Sequence, residues 1–189
     1  MFLDTTVICG AIRKDGVNRK IIQTARLPFL YQPVLSRVCL FEFLRNATDG
    51  IGTGERMVKY ETWEIHTFLD DFVYPILEHY GDLPVNSVVG RYSIETRIRD
   101  NLPIGEVLIE LTGLSNEDAE KLAIEQSKEM KEPLKNFDQE DFHVWATAIQ
   151  QECEYIITTN TRRFPSEIGR IKRIHPVEFY QQLEDYLNS

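Results

Sequence analysis

Basic residues are in short supply: 21 Lys and Arg stand against 30 Asp and Glu, a net charge of −9 over 189 residues. A field of that sign repels polyanions at long range, which excludes a general nucleic-acid coating protein. It does not exclude a protein that gathers carboxylates around a divalent cation. Cysteine is scarce as well. Cys9, Cys39 and Cys153 are odd in number, far apart and set among apolar neighbours. Without CxxC or Cys/His ligand spacing, neither a zinc site nor a disulfide framework is expected, and the thiols should be reduced and buried. No apolar run approaches the ~18 residues that a membrane span requires. The opening Met-Phe-Leu-Asp lacks the basic and long apolar regions of a signal peptide. A soluble, cytoplasmic protein with no membrane partner is the expectation. Repeats, low-complexity segments and a Pro/Ser-rich linker are also missing, so residues 1–189 are read as one domain, within the usual ~100–200 residues. What is present, 42% hydrophobic and 27% charged residues, is ordinary globular composition and excludes global disorder.

Residues 1–3 read as a short buried strand ending at Asp4. A helix is expected over 16–26, and a second short strand over 30–35, where Pro33 restricts it to an edge or a start. Ser36 is a good N-cap for a helix to about Arg45. Gly50, Gly52 and Gly54 mark a loop, and the pattern from 55 to about 80 reads as a long helix that Pro75 kinks or ends. Ser115 to Asp118 has capping-box form and opens a charged helix to about 131. Asp138 opens a helix over 139–152, with Phe142, Val144, Trp145, Ala148 and Ile149 as its apolar stripe. Tyr155–Thr158 and 172–174 are strand-like, and Pro176 stands at the first position of a C-terminal helix. Short strands alternating with helices indicate one α/β domain with a small, mostly parallel sheet, into which helical material from about 50 to 130 is inserted.

Four polar residues stand out. Asp4 follows directly on a strand, at the carboxyl end where open α/β sheets hold ligands, although a carboxylate there also serves as a cap or turn residue. Glu42 lies in Val38–Leu44, a helix apolar nearly all round and therefore buried; such a carboxylate must be paired, protonated or ligating a cation. Asp141 suits a first-turn capping role beside Asp138 and Glu140, yet lies three and four residues before Val144 and Trp145 on the core-facing side. Asn160 ends the Ile156–Thr159 run, either as a turn residue or as a further strand-end ligand. Three carboxylates and an amide suit a hard cation such as Mg²⁺, which prefers oxygen donors and retains several waters. Such an ion stabilises the developing charge of a phosphodiester and activates water.

On these residues the chain resembles the PIN-domain ribonucleases. Met1–Ile8 (MFLDTTVI) is similar to their opening strand and Asp-Thr motif. Ser36–Leu44 (SRVCLFEFL) is similar to the serine-started helix with one acidic residue. Asp141–Asn160 (DFHVWATAIQQECEYIITTN), with Thr161–Phe164, is similar to the third and fourth motifs. The resemblance covers about 1–48 and 136–180. It implies a three-layer α/β/α fold with a small central parallel sheet, and a Mg²⁺ or Mn²⁺ site held by Asp4, Glu42, Asp141 and Asn160. Thr5, Thr6 and Thr158 match positions whose hydroxyls shape that site. The implied reaction is metal-dependent hydrolysis of RNA, with no protein nucleophile. The bacterial toxin-type members imply further a homodimer and silencing by a small antitoxin. The fourth position is often Asp; Asn160 lowers the ligand charge there and supports the alternative of a catalytically impaired module that binds RNA or protein.

Remaining features read more plainly. The Gly50-Ile51-Gly52-Thr53-Gly54 run misses G-x-G-x-x-G spacing and follows no convincing strand, so a dinucleotide loop is not expected. His66, His79, His143 and His175 are scattered. His143, two residues from Asp141, falls on another helix face and reads as a surface or internally satisfied histidine. Trp63 and Trp145 read as core. Between Asn160 and His175, Arg162, Arg163, Arg170, Lys172 and Arg173 against Glu167 give a local +4 that suits RNA phosphates, or a solvated loop.

Overall fold

The computed structural model describes residues 1–76 apart from Pro28, residues 141–189 apart from Arg163, and separate positions between 101 and 125. The end of the helix expected from 55 to about 80, most of 115–131 and the segment from Asp138 to Glu140 lie outside the described residues.

β1 (Phe2–Leu3) pairs in parallel with β2 (Tyr155–Ile157), and β2 with β4 (Ile171–Ile174). β3 (Glu167–Ile168) closes the edge antiparallel to β4, giving the order β1-β2-β4-β3. The chain is thus a mixed α/β protein with a small, mostly parallel sheet, as expected. β3 has no counterpart in the sequence reading, because its two residues are too few to show alternation. It is built by a two-residue hairpin turn in which Gly169 takes φ +55°, the conformation such a turn favours. The second strand expected over 30–35 reduces to a single bridge from Val34 to Phe2 beside Pro33.

Alternation along the strands sorts the core. Leu3, Ile157 and Ile174 face one hydrophobic cluster together with α1 (Thr5–Arg13), α2 (Val17–Thr24), α3 (Arg37–Asp49) and α6 (Pro176–Leu187). Phe2, Ile156 and Ile171 face a second, built mainly on α5 (Phe142–Gln150) with Trp145 against Phe164. Helices therefore cover both sides of the sheet. Each large apolar side chain buried in this way contributes about 1.5–3 kcal/mol.

α1 is absent from the sequence reading, since Thr5, Thr6, Val7 and Ile8 are β-branched and Gly10 is a poor helix former. Burial of Val7, Ile8 and Ala11 and the Asp4 cap override that preference. α3 starts at Ser36 as expected, its hydroxyl accepting from Cys39 N at 3.1 Å. The long helix expected from 55 does not form: the chain makes a 3₁₀ turn at Gly54–Arg56, Val58 bridges back to Ile51, and α4 (Thr62–Phe68) begins only where Glu64 accepts from Glu61 N at 2.8 Å. A π-helical turn, Leu69–Val73, follows just before Pro75. Trp63, expected in the core, is 69% exposed, whereas Trp145 is fully buried. The capping box at Ser115 and Asp118 forms, with Asp118 N donating to Ser115 Oγ at 3.1 Å and Ser115 N to Asp118 Oδ2 at 3.2 Å. Among the described residues no helix is long and apolar enough to cross a membrane.

Candidate functional site

Parallel pairing places the ends of β1 and β2 side by side, and the polar residues collect there. Asp4 N donates to Ile157 O at 3.1 Å, continuing the ladder one residue past β1. The same residue is the N-cap of α1, and its carboxylate is 4% exposed. Oδ2 accepts from Thr6 Oγ1 and Thr158 Oγ1, both at 2.7 Å, and from Thr6 N at 3.4 Å. The hydroxyls are held in turn: Thr6 Oγ1 accepts from Thr159 N at 3.0 Å and Thr158 Oγ1 from Asn160 N at 2.9 Å. Both threonines thereby present their protons to Asp4. Among the described residues all hydrogen bonds of this carboxylate fall on Oδ2, which leaves Oδ1 to the cleft that Asp4 lines. Burial raises the Asp4 pKa and the charge of Glu42 adds to the rise; the two threonine hydroxyls and His143 oppose it.

Glu42 projects from the first half of α3 toward α1 and α5. Its Oε2 accepts from Thr5 Oγ1, and its Oε1 meets His143 Nε2 at 3.0 Å. Both oxygens are thus fixed, and the side chain is still 18% exposed. His143, read as a surface or internally satisfied histidine, is the internally satisfied kind, and its place beside the candidate site is what the sequence reading missed. It is buried rather than superficial, and it lies against the site. The face argument fails because the site is not confined to one face of α5: Asp141 already has helical backbone angles, and His143 is met by Glu42 reaching across from α3. The only sequence signal would have been an imidazole one place inside a helix otherwise made of buried apolar residues. Burial works to lower the His143 pKa, but the Glu42 hydrogen bond and the charges of Glu42, Asp4 and Asp141 outweigh it and raise the value. Its Nδ1 finds no hydrogen-bond partner among the described residues.

Asp141 and Asn160 stand partly buried, and Asp4, Thr5, Thr6, Glu42, Asp141 and Asn160 line one cleft of about 1120 Å³. All four sequence-derived site residues therefore line the same cleft. The basic stretch does not. Arg162, Arg170, Lys172 and Arg173 are not part of the cleft lining; the arginines found there are Arg13 and Arg45. Arg170 sits in the turn before β4, at the opposite end of that strand from the site, and Lys172 registers opposite Glu167. Arg173 ties down the loop after Asn160, donating to Thr161 O and, at 2.7 Å, to Phe164 O. Arg163 lies outside the described residues.

Among the described residues no three His, Cys, Asp or Glu side chains are grouped so that together they could hold a metal ion. The donor set nevertheless fits a hard cation of the Mg²⁺ or Mn²⁺ type, which needs one or two carboxylates and keeps its waters. Asp4 offers an oxygen to the cleft, and its carboxylate, whose proton affinity is raised by burial and by the charge of Glu42, is relieved by a cation in place of a proton.

Set against family models, curated proteins and solved structures, the chain matches none. The likeness to PIN-domain ribonucleases rests on the four motifs.

Proposed function

We propose that the protein is a metal-dependent endoribonuclease of PIN type that hydrolyses RNA phosphodiester bonds in this cleft. The supporting observation is that Asp4, Glu42, Asp141 and Asn160, which belong to four separate stretches of sequence, line a single cleft at the carboxyl ends of parallel strands. In that reading Asp4, Glu42, Asp141 and Asn160 hold Mg²⁺ or Mn²⁺. When bound, the ion supplies charge stabilisation at the phosphodiester and a lowered pKa for the attacking water. The chain's own residues do the positioning. Thr6 and Thr158 orient Asp4 so that its second oxygen faces the substrate, and Thr5 and His143 clamp Glu42 from both sides. The hydroxyl network leaves no protein nucleophile to explain.

A homodimer and a small silencing antitoxin go with the same reading; the neighbouring reading frame and gel filtration test them. Asn160 favours one other reading, an impaired module that binds RNA or protein, because an amide supplies less ligand charge than a carboxylate.

Nuclease assays on single-stranded RNA with Mg²⁺ or Mn²⁺ decide between the two. Wild-type protein is expected to cleave, EDTA to abolish cleavage, and Asp4→Asn and Glu42→Gln each to lower the rate at least 100-fold, about 2.7 kcal/mol of barrier. Cleavage without metal, or indifferent to both substitutions, would sink the proposal.

A further inference from the structure

The cleft is longer than its acidic edge requires. α1 and α3 lie side by side and run the same way: Thr5 at the start of α1 meets Cys39 O at 3.4 Å, and Arg13 at its end donates to Arg56 O at 3.1 Å, in the loop after α3. A rise of ~1.5 Å per residue puts about 13 Å between Asp4 and Arg13 along the helix. Arg45 and Asn46 follow Glu42 by three and four residues, on the same side of α3, and both line the cleft with Arg13. The far wall is the glycine loop, of which Gly50, Ile51, Gly52 and Thr53 line the cleft.

That loop is built, not slack. Ile51 and Val58 exchange backbone hydrogen bonds of 2.8 and 3.0 Å, and Arg56 N and Met57 N donate to Thr53 O and Gly54 O at 3.2 and 3.1 Å. Gly52 takes φ +112°, and a Cβ there would stand 2.8 Å from Arg56 O, so a side chain is excluded twice over. Among the described residues the amides of Gly52, Thr53 and Gly54 donate to no protein group. Arg13 uses one nitrogen on Arg56 O and keeps the rest of its fork. Asp49 and Glu55 are the exposed counter-charges nearby in sequence.

We propose that this far arm is a phosphate-binding subsite that holds the RNA backbone a few nucleotides from the scissile bond, through Arg13 and the open amides of the glycine loop. The inference rests on the nuclease reading of the acidic edge. Arginine forks and unpaired backbone amides are the groups that take phosphate oxygens without reading bases. The 13 Å span corresponds to about four stacked nucleotides at ~3.4 Å each. An acidic peptide would also be attracted by the arginine, but a row of open backbone amides beside an arginine fork suits phosphate oxygens, and competition by poly-glutamate separates the two.

The test is fluorescence anisotropy with a labelled RNA hexanucleotide and a dinucleotide, in EDTA and low salt so that metal-assisted cleavage does not intervene. The hexanucleotide should bind at least tenfold more tightly than the dinucleotide. Arg13→Gln should remove most of that advantage and lower the salt slope by about 0.7, one phosphate contact, and Arg13→Lys should retain part of it. Circular dichroism melts confirm that both variants fold. Equal affinity for the two RNAs, full binding by Arg13→Gln, or equal competition by a poly-glutamate peptide would overturn the subsite. Loss of hexanucleotide binding in Arg13→Gln, with no Mg²⁺- or Mn²⁺-dependent hydrolysis by the wild type, would uphold the subsite and strike only the reaction.

Discussion

At the scale of single residues, the buried polar groups carry the risk and the chemistry together. Thr158 is fully buried, and its hydroxyl stands between Asn160 N and Asp4 Oδ2. Thr158→Val keeps the shape and strands both partners, so it should cost about 1–3 kcal/mol in urea unfolding and weaken metal binding in step. The thiols make a separate prediction. Cys9, Cys39 and Cys153 are free and buried, and burial pushes the Cys9 thiol up to about 12. All three should resist iodoacetamide at pH 8 until the protein unfolds. The sign for stability follows from linkage: a thiol that holds its proton more tightly when folded contributes fully below its unfolded pKa near 9 and loses that contribution as pH rises toward 12. Alkaline titration monitored by circular dichroism should therefore show Cys9 alone lowering stability by about 1.4 kcal/mol per pH unit through that window, and Cys9→Ala should make the decline shallower.

At the scale of elements, α1 is the hinge between sequence and site. A Cβ on Gly10 would stand 1.8 Å from Asn18 Nδ2, at the tip of a flexible side chain. Gly10→Ala should be unfavourable alone because Asn18 must swing away. In an Asn18→Ala background it should stabilise by about 0.5–1 kcal/mol, the helix preference of alanine over glycine. Thermal melts of the four proteins check the sign change. The same helix shows what was legible. β1, the Ser36 start of α3, β2 and the Pro176 start of α6 are read correctly from sequence, because each is marked by a local signal: an apolar run, a capping hydroxyl or a fixed φ. Asp4 and Asn160 reach the cleft from strand ends, which the sequence also marks, whereas Glu42 and Asp141 reach it from helices α3 and α5. α1 is not legible, since its helix exists by burial against local preference. Met57 to Tyr60 read as helix because the apolar spacing agrees, yet the Ile51–Val58 bridge, a pairing across a loop, determines the backbone there. His143 is hidden because its partner, Glu42, lies 101 positions away on another helix.

At the scale of the whole molecule, the net charge of −9 and a cleft with two arginines against three carboxylates set opposing terms. RNA binding without divalent ions should be weak. With Mn²⁺ present it should tighten, and its salt slope should stay small, about −2 for three phosphate contacts at ~0.7 each. Anisotropy over a range of salt concentrations reads both. A divalent ion that binds only the folded state should also raise the melting temperature of the wild type, and should not raise that of Asp4→Asn.

The hydrogen bond from Thr158 to Asp4 joins residues 154 positions apart. The carboxylate and one of the hydroxyls that aim it, Thr6, come from the first residues, and the other hydroxyl, Thr158, from the far part of the chain. Contacts of such long sequence separation close late, after much of the chain has been ordered. No nascent or truncated chain that lacks β2 can then hold Asp4 in its working pose. The pose of Asp4 is thus completed only when the last fifth of the chain has been made.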